Sequence, residues 1–214
     1  MEGLVIWKQT AVRSKEEPVL LNRRSYIVKE HVSLLKLTDT YDLFDPETQQ
    51  AIGVAKDEPA SWAKYGRLLV KKNFLPTTIN IYEAGAPRPV LSLKKAPGFL
   101  RTRVEVSDAN GLVIGRFTSK AFSLGGGFYA HDATGQQVAE VKGDWKGWNF
   151  RFLDGSGAEL GTVSKKWGGL GKELFTSADT YVIALSDRAA QVQHQSALLL
   201  AAGLAIDIVF KEKA

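Results

Sequence analysis

The sequence predicts a mostly β fold: a closed antiparallel barrel around a hydrophobic C-terminal helix. Three observations lead there. One hairpin pattern recurs along the chain. Other short strand patterns bring the number of strands close to a dozen. The last stretch is apolar on every side and must therefore be surrounded.

The recurring unit is an alternating apolar run, an aspartate, a short turn with Gly or Pro, and a second apolar run. It begins as Tyr41-Asp-Leu-Phe-Asp45-Pro46 leading to Gly53, and again as Val104-Glu-Val106-Ser-Asp108-Ala-Asn110-Gly111 leading to Gly115. Phe128 through Asp132 and Gly135 to Val138, and Phe150 through Asp154 and Gly157 to Gly161, repeat it. Period-two alternation sets Val104 with Val106, and Phe150 with Phe152, on one face of a sheet. Asp and Asn hydrogen-bond their own backbone in the turn, and Gly supplies a positive φ at the tip.

Further strands are expected at Leu4–Trp7, Tyr26–Lys29, Leu34–Leu37, Ile79–Tyr82, Val90–Lys94, Glu140–Lys142, Gly161–Val163 and Tyr181–Leu185, each bounded by turn formers. A sheet this wide curls or closes to remove its edges. Between Pro59 and Leu69, the positions of Ala60, Trp62, Ala63, Tyr65, Leu68 and Leu69 suit a short helix. Gly125-Gly126-Gly127 precedes a strand and reads as a bulge or turn.

Ser186 or Asp187 can cap a helix beginning at Arg188. Its apolar part, Ala197 to Ile206, spans about 15 Å at about 1.5 Å per residue, half the hydrocarbon thickness of a bilayer, and Asp207 follows at once. A helix buried in the barrel is favoured over a membrane span. We therefore expect a single domain over residues 1–214, with 188–210 as its central helix.

Composition narrows the chemistry. The chain holds 214 residues and no cysteine, which excludes disulfides, thiolate metal sites and cysteine nucleophiles. Its net charge of +5 mildly favours anionic partners such as membrane surfaces or nucleic acid. Met1 to Lys15 lacks the basic start and long apolar run of a signal peptide, so a cytoplasmic location is expected. His31, His131 and His194 have no serine in a G-x-S-x-G turn to activate, and read as structural or surface residues. Glu173 stands where a phosphate-binding loop needs Ser or Thr after Gly171-Lys172. Asp108-Ala-Asn110-Gly111 lacks the remaining ligands of a calcium loop. The expectation is a non-enzymatic chain without cofactor or metal.

The positive candidates pair indoles with ammonium groups. Trp145, Lys146 and Trp148 lie near Lys142, and Lys165 and Lys166 precede Trp167. That pairing suits a phospholipid headgroup interface; the same indoles also suit barrel packing. Stacking on single-stranded bases is disfavoured, because no nucleic-acid motif accompanies them.

From about Tyr26 to Phe210 the chain resembles bacterial relatives of the phospholipid scramblase and LURP-one families, whose fold is similar to the tubby C-terminal domain. The stretch Val163-Ser-Lys-Lys166-Trp167-Gly168, then Glu173-Leu-Phe175-Thr176-Ser-Ala-Asp179-Thr-Tyr181, carries the resemblance. So do the terminal helix ending Ile206-Asp207, and Glu58 with Pro76 before Ile79–Tyr82. The resemblance implies about twelve strands around the helix and a phospholipid-associated role, with the inner face of the membrane as the surface met. The calcium dependence of scramblases does not carry over, since Ser177 stands where the family has an acid and the next carboxylate after Asp179 is Asp187. Two other roles stay open: a protein-interaction scaffold with no lipid role, and a true phospholipid scramblase with Leu198 to Ile206 inserted in the bilayer.

Overall fold

The structure, a computed structural model, describes residues 19–31, 38–66, 68–70, 74–97, 102–120, 127–144, 148–165, 180–190 and 194–210. Among these, twelve strands form a closed antiparallel barrel in which each strand pairs with its neighbours in sequence, and β1 (Ser25–Glu30) closes the circle on β12 (Thr180–Leu185). Between them run β2 (Thr40–Phe44), β3 (Ala51–Asp57), β4 (Thr77–Glu83), β5 (Leu91–Lys95), β6 (Arg103–Asp108), β7 (Val113–Ser119), β8 (Gly127–Asp132), β9 (Gln137–Asp144), β10 (Asn149–Leu153) and β11 (Glu159–Ser164). The short helix α1 (Ser61–Gly66) joins β3 to β4, and α2 (Asp187–Ala190) and α3 (Gln195–Phe210) follow β12. The four expected hairpins are present. The strands expected at Leu4–Trp7 and Leu34–Leu37 lie outside the described residues.

The hairpin tips share one construction. In three of them the aspartate Oδ1 accepts the N–H groups two and four residues on: Asn110 and Leu112 at Asp108, Thr134 and Gln136 at Asp132, Ser156 and Ala158 at Asp154, all at 2.8–3.0 Å. Gly111, Gly135 and Gly157 then take φ of 79°, 89° and 84°, the left-handed turn that lets a short loop follow the twist of its strands. Asp45 is the variant. Its carboxylate accepts from Glu47 and Thr48 and pairs with Arg23, and Gln49 takes the left-handed position at φ 58°.

Alternation sorts the strand residues as the sequence predicts. Val104, Val106, Phe117, Phe128, Phe150 and Phe152 point inward and are buried. Glu105 pairs outside with Arg116 at 3.4 Å, and Arg151 with Glu159 at 2.6 Å. A charged exterior over an apolar interior is the inverse of a barrel that spans lipid with its strands.

The interior is filled by α3. Ala197 through Ala202 and Leu204 through Asp207 are all buried. Gly203 allows the helix to approach β12, since a Cβ there would lie 2.7 Å from Ile183 Cγ1. The single helix expected over 188–210 is two pieces. Ser186 Oγ accepts the Ala189 N–H to start α2, and α3 begins only after His194, whose φ of 63° is not helical. The separation follows from geometry: the chain leaves β12 outside the barrel mouth and must turn before it can enter along the axis. Among the described residues no helix is long and apolar enough to cross a membrane.

Candidate functional site

The antiparallel circle gives the barrel two unlike ends. The end that carries Asp45, Asp108, Asp132 and Asp154 is closed by connections of four to seven residues. At the other end the connections run from four residues between β9 and β10 to nineteen between β3 and β4, with fifteen between β11 and β12. In sequence the long-loop connections hold eleven Lys or Arg, four Asp or Glu and nine aromatic residues; the tight ones hold only Arg88 as a base, three acids and no aromatic residue. Of the expected headgroup residues, Lys142, Trp148 and Lys165 are described, and all three stand at the long-loop end.

Trp148 enters β10 there with a left-handed φ of 46°. Its indole is half-buried, with Tyr181 at 5.1 Å between ring centroids and Phe150 edge-on at 6.3 Å. Lys165, at the end of β11, holds Nζ 4.7 Å from the same indole, and its backbone N–H donates to Trp148 O at 3.2 Å. The pairing of Lys165 with Trp148 is thus a stacked contact at the rim, with the indole seated on the barrel core and the ammonium beside it.

Lys142 lies one strand over on β9, with 57% of its side chain exposed. It is ion-paired with Glu140 at 3.1 Å, and Glu140 also takes a hydrogen bond from Lys120. The bond from Lys120, joined by that from Lys142 and opposed by burial, holds the Glu140 carboxyl below its ordinary range. Three charged groups therefore present a net charge of +1, and Lys120 Nζ also sits 4.8 Å from the Tyr129 ring. Sequence reading missed Lys120 and Glu140, because the trio forms only when β9 and the end of β7 come together. Trp145, Lys146, Lys166 and Trp167 lie outside the described residues.

Beneath the rim the core becomes polar. Tyr41 donates to Asp207 Oδ2 at 2.5 Å, and Asp207 is 2% exposed. Burial first, then the Asp207 charge, pushes the Tyr41 hydroxyl well above its ordinary value; burial, Asp207 and Glu30 do the same for Tyr181. Tyr181 Oη has no hydrogen-bond partner among the described residues. Among those residues no three of His, Asp and Glu gather as a metal site.

His31 bonds Asp42 at 2.5 Å on the exterior, and His194 sits at the opposite end of the barrel beside Leu112 and Leu198. What the long-loop end offers is cationic and aromatic surface on a rigid frame. A family model described as Scramblase matches residues 87–213, from the turn before β5 through α3. No curated protein and no solved structure matches the chain.

Proposed function

We propose that this chain, which belongs to the scramblase family, is a non-enzymatic module that meets anionic phospholipid headgroups peripherally, through the long-loop end of its barrel. Family membership supports a phospholipid-related role in general. The observation that carries the finer reading is the stacked Lys165 and Trp148 pair, fixed at a rim whose connecting sequences are strongly basic and aromatic. Lys165 and Lys142 pair with headgroup phosphates, Trp148 lends the exposed part of its indole, and Lys146, Lys166, Trp145 and Trp167 belong to the same reading through sequence alone.

Each basic residue near an anionic surface contributes on the order of 1 kcal/mol, and salt removes it. Binding of this kind is weak and reversible.

Co-sedimentation with vesicles tests the reading. The expected result is binding to phosphatidylserine-containing vesicles at low salt, loss at high salt, and none to phosphatidylcholine alone. Equal binding to both compositions, or binding indifferent to salt, would overturn it.

A further inference from the structure

The connection between β3 and β4 lies at the same end of the barrel, six strands around the circle from β9 and β10 and so on the opposite side. Its described residues expose a surface that the lysines near Trp148 do not account for. Ala63 of α1 is fully buried and Leu75 nearly so, and these two seat the segment on the barrel. Between and around them Trp62, Tyr65, Leu68, Leu69, Val70 and Phe74 face solvent, Trp62 at 64%, Tyr65 at 66% and Leu69 at 90%. Lone exposed apolar side chains are ordinary, but six within the thirteen residues 62–74 make an interaction surface.

The tip that carries them is hydrogen-bonded. Leu68 N–H donates to Tyr65 O at 3.1 Å, and the N–H groups of Leu69 and Val70 donate to Gly66 O at 3.0 and 2.9 Å. Three backbone donors are thereby satisfied internally, which lowers the cost of carrying the tip out of water.

Two features choose the occupant. Trp62 and Tyr65, three apart on α1, are the side chains that sit at a membrane–water boundary. Lys64 lies between them, and the sequence interleaves Arg67, Lys71 and Lys72 with the apolar residues. The core of a protein interface is depleted in lysine, whereas an anionic bilayer accepts apolar and cationic groups together. We propose that α1 and the Leu68–Val70 tip form a wedge that inserts into the interfacial layer of an anionic bilayer while the Lys165 side of the rim meets headgroups. This rests on the headgroup reading above. The wedge lies outside residues 87–213, the part matched by the family model.

The chain has no cysteine, so Leu69→Cys takes a single environment-sensitive fluorophore, and Leu112→Cys, at an exposed tip of the opposite end, takes the same label as a control. With phosphatidylserine-containing vesicles, the label at 69 shifts its emission to the blue and is quenched by brominated acyl chains, while the label at 112 stays aqueous. In the unlabelled chain, Leu68→Ser with Leu69→Ser weakens vesicle binding about tenfold or more and leaves its salt dependence unchanged. A vesicle-bound protein whose label at 69 stays aqueous overturns the wedge, assigns that face to a protein partner and leaves the headgroup reading standing. Failure of the unsubstituted chain to bind these vesicles overturns both.

Discussion

The two ends of the barrel are made from the same twelve strands and differ in what joins them. At the tight end an aspartate and a left-handed residue close each of four hairpins, and the buried polar residues near it are Asp45 and Ser107. At the long-loop end Glu30, Asp57, Thr77, Lys95, Ser119, Thr180 and Asp207 are buried polar groups under a rim of aromatic and basic residues. The difference is a division of labour. Local turn chemistry fixes register at one end, which frees the other end to vary in length and to carry surface chemistry.

The helix is the one element that serves both ends, so the largest effect comes from its middle. Leu200→Ala is expected to cost about 3 kcal/mol of unfolding free energy, read from denaturant titration, because Leu200 is fully buried and the barrel around it cannot collapse. A loss below about 1 kcal/mol would contradict the helix as the common core.

The next effect belongs to the long-loop end alone. Lys142→Glu with Lys165→Glu should weaken binding to anionic vesicles by about 2–4 kcal/mol at low salt and flatten its salt dependence, with stability changed by no more than about 0.5 kcal/mol. Its mirror at the tight end is Asp45→Ala. That change removes the acceptor of two backbone N–H groups and the partner of Arg23, and should cost about 2 kcal/mol of stability. Vesicle binding by the folded protein should not move. If the two variants exchange phenotypes, the division fails.

A gain sharpens the comparison further. Glu140→Gln releases Lys120 and Lys142 from their shared carboxylate, and should tighten low-salt vesicle binding by about fivefold, on the order of 1 kcal/mol. Unchanged affinity in a sedimentation titration would mean that this side of the rim does not face the headgroups.

The smallest effect is a pH dependence at the tight end. The hydrogen bonds from Thr134 and Ser156, the largest influences on Asp132 and Asp154, hold those carboxyls below their ordinary values. At Asp108 burial is the largest influence and opposes the shift, but the bonds from Asn110 and Leu112 outweigh it. Folded values below the unfolded one mean stability that is present above about pH 4 and lost as pH falls through the folded values. Thr134→Ala with Ser156→Ala should make the fall in melting temperature between about pH 5 and pH 2 shallower. An unaltered slope would remove these carboxylates as its cause.

The same division explains what was legible in the sequence. The hairpin tips were readable because their chemistry is local: an aspartate and a left-handed glycine three residues apart specify the turn without help from the rest of the chain. The all-apolar helix announced its burial, though its break at His194 depends on how the chain enters the barrel. The rim was less readable. Trp148 rests on Tyr181, thirty-three positions away, and the Lys120–Glu140–Lys142 trio joins the end of β7 to β9 across β8. Of the apolar positions expected in a short helix, Trp62, Ala63 and Tyr65 lie in α1 while Ala60 precedes it and Leu68 and Leu69 follow it, and Ala63 is buried while Trp62 and Tyr65 face solvent. Apolar spacing marks a stripe but does not say whether protein covers it, which depends on where a long connection projects.

The central claim is that one end of the barrel meets the membrane and the other does not. Amide hydrogen–deuterium exchange of the full chain, with and without phosphatidylserine-containing vesicles, reads both ends in one experiment. The account predicts new protection at residues 62–70 and around Trp148 and Lys165, and none at the turns after Asp108, Asp132 and Asp154. Protection of those aspartate turns, with the long-loop end unchanged, would contradict it.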